Sequence, residues 1–124
     1  DAGARGRQIR DGLLAMERAT PRDMLRVQLD DRALFLERWR ALLLRTLSPG
    51  AVADSDRRRE LQRVVNDGWT GRASPESAAY RLVREFRLQV GELAFAPIFT
   101  DVRKVDPSIS VTTVMSSMAA DGTE

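Results

Sequence analysis

The sequence predicts an all-α fold, an orthogonal bundle of about four helices with an irregular C-terminal tail. Three observations carry this expectation: apolar residues that recur at helical spacing, two cap-plus-proline starts, and Pro/Gly punctuation between the periodic runs. A chain of 124 residues, 43% hydrophobic and 31% charged, is long enough and apolar enough to bury a core. The reading is one helical domain over 1–124.

The first helix is expected over 4–18, where Ile9, Leu13 and Met16 share a face with Leu14 beside them. Gly6 and Gly12 each cost about 1 kcal/mol against alanine there, so this helix depends on packing. The second begins at Thr20-Pro21-Arg22-Asp23, in which Thr20 caps, Pro21 takes the first helical position and Asp23 completes a capping box. It is expected to run over 21–47. Its second half, with Leu34, Phe35, Leu36, Trp39, Leu42, Leu43 and Leu47, is apolar around most of its circumference, as in a central helix.

Ser48-Pro49-Gly50 stops that run and opens a short loop. A third helix over 56–66, capped by Asp54 or Ser55, puts Leu61, Val64 and Val65 on one face. The turn Asp67-Gly68-Trp69-Thr70-Gly71 reads as a backbone reversal that plants the Trp69 indole in the core. Ser74-Pro75-Glu76-Ser77 opens a fourth helix over 75–95, paced by Ala79, Leu82, Val83, Phe86, Val90, Leu93 and Ala94. Pro97 is expected to end it near Phe95. The tail, 97–124, is left undecided between β-branched extended chain without a partner strand and a helix over 111–120.

The formal net charge is +2, and the basic residues, all arginine except Lys104, alternate with acids along the helices. This is a mixed, solvated surface, and no nucleic-acid partner is expected. No apolar run approaches the length of a membrane span, and the stretch 41–44 lies between Arg40 and Arg45, so no membrane span is expected. The beginning of the sequence carries no signal-peptide pattern and reads as internal to a longer chain.

With no His and no Cys, the usual general base, thiol nucleophile and soft metal ligands are missing, and neither a cofactor nor a metal is expected. Asp30 and Asp31, adjacent on one expected helix, point about 100° apart and do not form an acid/base dyad. Asp30 is expected to pair with Arg26, and Asp31 or Gln28 to bridge to another helix. Phe35 and Trp39, one turn apart, read as core.

A family resemblance emerges from the order of these pieces. Arg5-Gly6-Arg7-Gln8-Ile9 with Leu13-Leu14, then Thr20-Pro21-Arg22-Asp23-Met24 with Val27-Gln28-Leu29-Asp30, is similar to a run found in the penicillin acylase (penicillin amidase) family. Arg59-Glu60-Leu61, Trp69-Thr70-Gly71 and Ala73-Ser74-Pro75-Glu76-Ser77-Ala78 follow in the family's order. The resemblance covers 4–99, and beyond Phe99 the sequence departs from the pattern.

The resemblance implies an N-terminal-nucleophile hydrolase, cleaved from a precursor, that hydrolyses an amide bond of penicillins, acyl-homoserine lactones or related acylated amines. It implies a serine nucleophile with its own α-amino group as base, both outside this chain, and a periplasmic location. This chain then corresponds to the helical segment of the large chain, with the remainder of the parent hydrolase as its partner. By alignment on Ile9, Arg5 falls where the family's arginine buttresses an active-site asparagine, so Arg5 is the one candidate site residue, as an accessory group. The alternative for Arg5 is a frayed, solvated arginine. The alternative for the chain is a stand-alone helical protein-interaction module. A homodimer through an apolar face over 34–47 is expected if that face is left uncovered.

Overall fold

Thr20 and Asp23 set the start of the second helix as the sequence requires. The Asp23 amide donates to Thr20 Oγ1 at 3.2 Å, and the Thr20 amide donates back to the Asp23 carboxylate at 3.1 Å. In the computed structural model, which describes residues 2–109, this capping box opens α2 (Pro21–Gln28). The other helices are α1 (Ala2–Leu14), α3 (Leu34–Thr46), α4 (Pro49–Ala53), α5 (Asp56–Asp67) and α6 (Ala78–Val105). Among the described residues there is no named strand, and the expected all-α class is the class observed.

Several boundaries differ from the sequence expectation, each for a local reason. The first helix closes at Leu14 instead of 18, where the Met16 amide tightens onto the Leu13 carbonyl at 3.2 Å. The single helix expected over 21–47 is two, α2 and α3, because the chain between them pairs with a distant segment. Ala33 donates to the Gly71 carbonyl and Ala73 to the Asp31 carbonyl, both at 2.7 Å, around an antiparallel bridge between Arg32 and Arg72. Backbone groups committed to that bridge are not available to a continuous helix.

The loop expected after Ser48 contains the short α4, started by the same grammar as α2: Ser48 Oγ accepts from Ala51, and Pro49 follows the cap. Of the two offered caps for α5, Ser55 is the one used. α6 starts at 78 and not 75 because Ser77 Oγ takes the Tyr80 amide at 3.2 Å, while Ser74 is bonded to Glu76. It also runs through Pro97 to Val105, so Pro97 does not end the helix. The Thr100 hydroxyl donates to the Ala96 carbonyl at 2.8 Å just beyond the proline, supplying a local side-chain bond there. The alternatives for 111–120 lie outside the described residues.

The chain falls into two compact units, Asp31–Val90 and the described part of Asp1–Asp30 with Gly91–Glu124. The Asp31–Val90 unit holds every buried hydrophobic residue among those described: Ala33, Leu36, Leu43, Leu47, Val65, Ala79 and Val83. Phe35, Trp39, Trp69 and Phe86 pack against this core while half-buried. Trp39 meets Phe86 edge-on, with ring centroids 6.5 Å apart. Trp69 is therefore a partial plug: its ring lies on the core while its indole N–H donates outward to Glu37 Oε1 at 2.8 Å.

In the other unit, Val27 lies against Gly12, its methyl 3.5 Å from where a Cβ would stand, so α1 and α2 approach closely at that glycine. This unit exposes large apolar side chains, Leu14 at 77% and Leu93 at 74% among them.

Candidate functional site

Arg5 stands in the second turn of α1, and its guanidinium reaches the carboxyl end of α2. Nη2 donates to the Val27 carbonyl at 2.9 Å and to the Gln28 carbonyl at 3.0 Å, and Nη1 donates to the Asp30 carbonyl. Val27 and Gln28 lie in the last turn of α2, where a helix runs out of regular amide donors, and the Val27 carbonyl also accepts from the Asp30 amide at 3.4 Å. The planar fork of arginine presents several donors at once, which a lysine could not match.

The electrostatics favour the same arrangement. α2 has eight residues, too few for a stable isolated helix. Its amino end carries Asp23, and its carboxyl end is faced by the Arg5 cation, so charges of the right sign oppose the helix dipole at both ends. Thr20, through its side-chain and backbone hydrogen bonds, holds the Asp23 carboxyl below the ordinary aspartate range. Arg26 adds an ion pair with Asp23 at 3.2 Å.

Arg5 is thus neither frayed nor fully solvated; it clamps α1 to α2. Gln8, three residues on along α1, has its amide nitrogen enclosed without a hydrogen-bond partner. A buried amide donor left unpaired is unfavourable, and it marks this part of α1 as a place where an acceptor would be stabilising. Asp31 lies in the connector and pairs with Arg72, so it bridges two connecting segments and not two helices.

The clamp was hidden from sequence reasoning because its partners are main-chain carbonyls more than twenty positions away, a feature no residue type reveals. Chemically, Arg5 can orient and hold. Among the described residues there is no group of three or more carboxylates, histidines or cysteines placed to share a metal ion.

Fold and site together define an all-helical segment in which an arginine fixes one helix against the end of another. A family model, that of penicillin amidase, matches residues 1–123. The chain belongs to the penicillin amidase family. The match extends past Phe99, where the sequence alone carried the resemblance no further. No curated protein and no solved structure matches the chain. Family membership places the chain with an amidase-like enzyme, and no described helix is long and apolar enough to cross a membrane.

Proposed function

We propose that this chain is the structural helical domain of a periplasmic hydrolase that cleaves linear amide bonds of penicillins, acyl-homoserine lactones or related acylated amines. The family match over nearly the whole sequence is the observation that carries the reading. The nucleophile is an N-terminal serine elsewhere in the enzyme. Its hydroxyl attacks the amide carbonyl, its α-amino group takes the proton and returns it to the departing amine, and water releases the acyl group. The role of this chain is to hold geometry, and Arg5 is a positioning residue that fixes the α1–α2 pair.

Two features support a partner in the remainder of the enzyme. Among the described residues, the unit containing α1 and α2 contributes none of the buried hydrophobic ones, yet it displays Leu14, Leu29, Leu93, Ile98 and Val105, each more than 60% exposed. An apolar surface of this kind is stabilised when another surface covers it. Of the stretch 34–47, by contrast, Leu36, Leu43 and Leu47 are already in the core.

The test is hydrolysis of a chromogenic acyl-anilide by the full enzyme and by this chain alone. Turnover is expected only from the full enzyme, and serine-to-alanine replacement at the start of its catalytic chain is expected to abolish it. Hydrolysis by the isolated chain at an enzymatic rate would reject the proposal.

A further inference from the structure

Near its carboxyl end α6 leaves one face uncovered. Phe95, Ile98, Val102 and Val105 recur at intervals of three, four and three residues, so they form one stripe along the helix, and all four are exposed, Val105 at 88%. Glu92, Ala96, Phe99 and Arg103 lie on a different face and are half-buried. Just past the helix the chain turns back. Pro107 offers no amide to continue α6, and the Asp106 carboxylate accepts from the Ser108 amide at 2.9 Å and from the Ser108 hydroxyl at 2.6 Å. Arg103 Nε then donates to the Ile109 carbonyl at 3.2 Å, so the described residues end with the chain returned toward α6.

The sequence that follows carries the matching pattern. Val111, Val114, Met115 and Met118 fall on one side of a helical projection, and Thr112, Thr113, Ser116 and Ser117 fall on the other. The intervals mirror those of α6: outward from the turn, apolar residues stand at 105, 102 and 98 on one arm and at 111, 114 and 118 on the other. We propose that 111–118 is a helix that lies antiparallel on α6 and covers the stripe, setting Val111 against Val105, Val114 against Val102 and Met118 against Ile98. The connection, 106–110, has a length that joins antiparallel helices. Valine and threonine are mediocre helix formers, so this helix depends on the surface it covers. An extended 111–118 fits less well, because alternation puts Val111 and Val114 on opposite faces. A second copy of the chain competes for the stripe at a disadvantage, since the attached segment is present at a far higher local concentration. Leu14, Leu29 and Leu93 take no part in this pairing, and the hairpin does not depend on the amidase reading.

The chain has no cysteine, so paired replacements in the full chain read the register by disulfide formation in a glutathione redox buffer. A disulfide needs its two Cα atoms within about 7 Å, and a helix turns position 112 about 200° away from 114. Val102→Cys/Val114→Cys is therefore expected to close within one chain about tenfold more readily than Val102→Cys/Thr112→Cys. Ile98→Cys/Met118→Cys, a second pair from the same register, is expected to close as readily as the first. Circular dichroism of the reduced variants establishes that the helices persist. Equal closure of the 102–114 and 102–112 pairs overturns the proposal and is the result an extended segment gives, since 112 and 114 then share a face. Failure of both in-register pairs to close also overturns it. A disulfide-linked dimer formed in preference to the closed monomer at dilute protein would make a second copy the occupant and likewise reject the hairpin.

Discussion

The indole N–H of Trp69 donates to Glu37 Oε1 at 2.8 Å, joining the turn after α5 to the first turn of α3 across 32 positions of sequence. The same turn supplies the Gly71 carbonyl to Ala33, so a side-chain bond and a backbone bond fix one junction. Because the ring is half-buried, Trp69→Ala is expected to cost about 2–4 kcal/mol through lost packing. Glu37→Gln keeps an oxygen acceptor and is expected to change stability by less than about 0.5 kcal/mol. Urea denaturation followed by circular dichroism compares the two, and a larger loss for Glu37→Gln would contradict the packing account.

Gly71 has φ of 72°, the left-handed region that side chains disfavour. A Cβ there would meet Glu37 Oε1 only at 3.7 Å, so space is available and the cost is in the backbone. Gly71→Ala is expected to destabilise by about 1–2 kcal/mol, and Gly71→Asn by less, since asparagine tolerates this conformation better. Thermal melts that rank asparagine below alanine would refute this.

Arg5→Ala removes three bonds from a charged donor to the end of α2, with an expected loss of about 2 kcal/mol. Arg5→Lys restores the charge but not the fork and is expected to recover only part of it. Amide hydrogen exchange gives the decisive readout. Protection should fall along α2 while Val65 and Val83, in the other unit, keep theirs. Uniform loss throughout the chain would mean that Arg5 acts on global stability and not on α2.

Pro97 offers no amide to the Leu93 carbonyl, a bond that alanine would restore. Pro97→Ala is expected to raise stability by about 1–3 kcal/mol and to increase helical ellipticity. An unchanged melting temperature would show that the surroundings of the proline already offset the missing bond.

Acid should loosen helix ends before it loosens the core. Asp23 is held low by Thr20, Glu76 by Ser74, and Asp106 by Ser108. A carboxyl whose folded pKa is depressed contributes stability that is present above its unfolded value, about 4, and is lost as pH falls through the lower folded value. Helical ellipticity is therefore expected to hold through neutral pH and decline below about pH 4. Asp23→Asn should remove the part of that decline due to α2. A variant with the same acid profile as the unaltered chain would leave Asp23 without a role in it.

The helical class, the capping box at Thr20, the cap at Ser55 and the proline-led starts follow from residues a few positions apart, and so were legible in the sequence. The recurrence of Val65, Ala79 and Val83 at core positions also comes from helical periodicity. What the tertiary structure decided involves distant partners. The break between α2 and α3 exists because 31–33 bonds to 71–73, and the helix grammar of 21–47 gives no sign of that competition. Arg5 at the end of α2 and Arg87 over the Phe35 ring are likewise long-range meetings, made of main-chain acceptors in one case and a ring face in the other. Local sequence sets which conformation each segment prefers on its own; which segments meet, and which backbone groups each must give up, is settled only when the chain closes on itself.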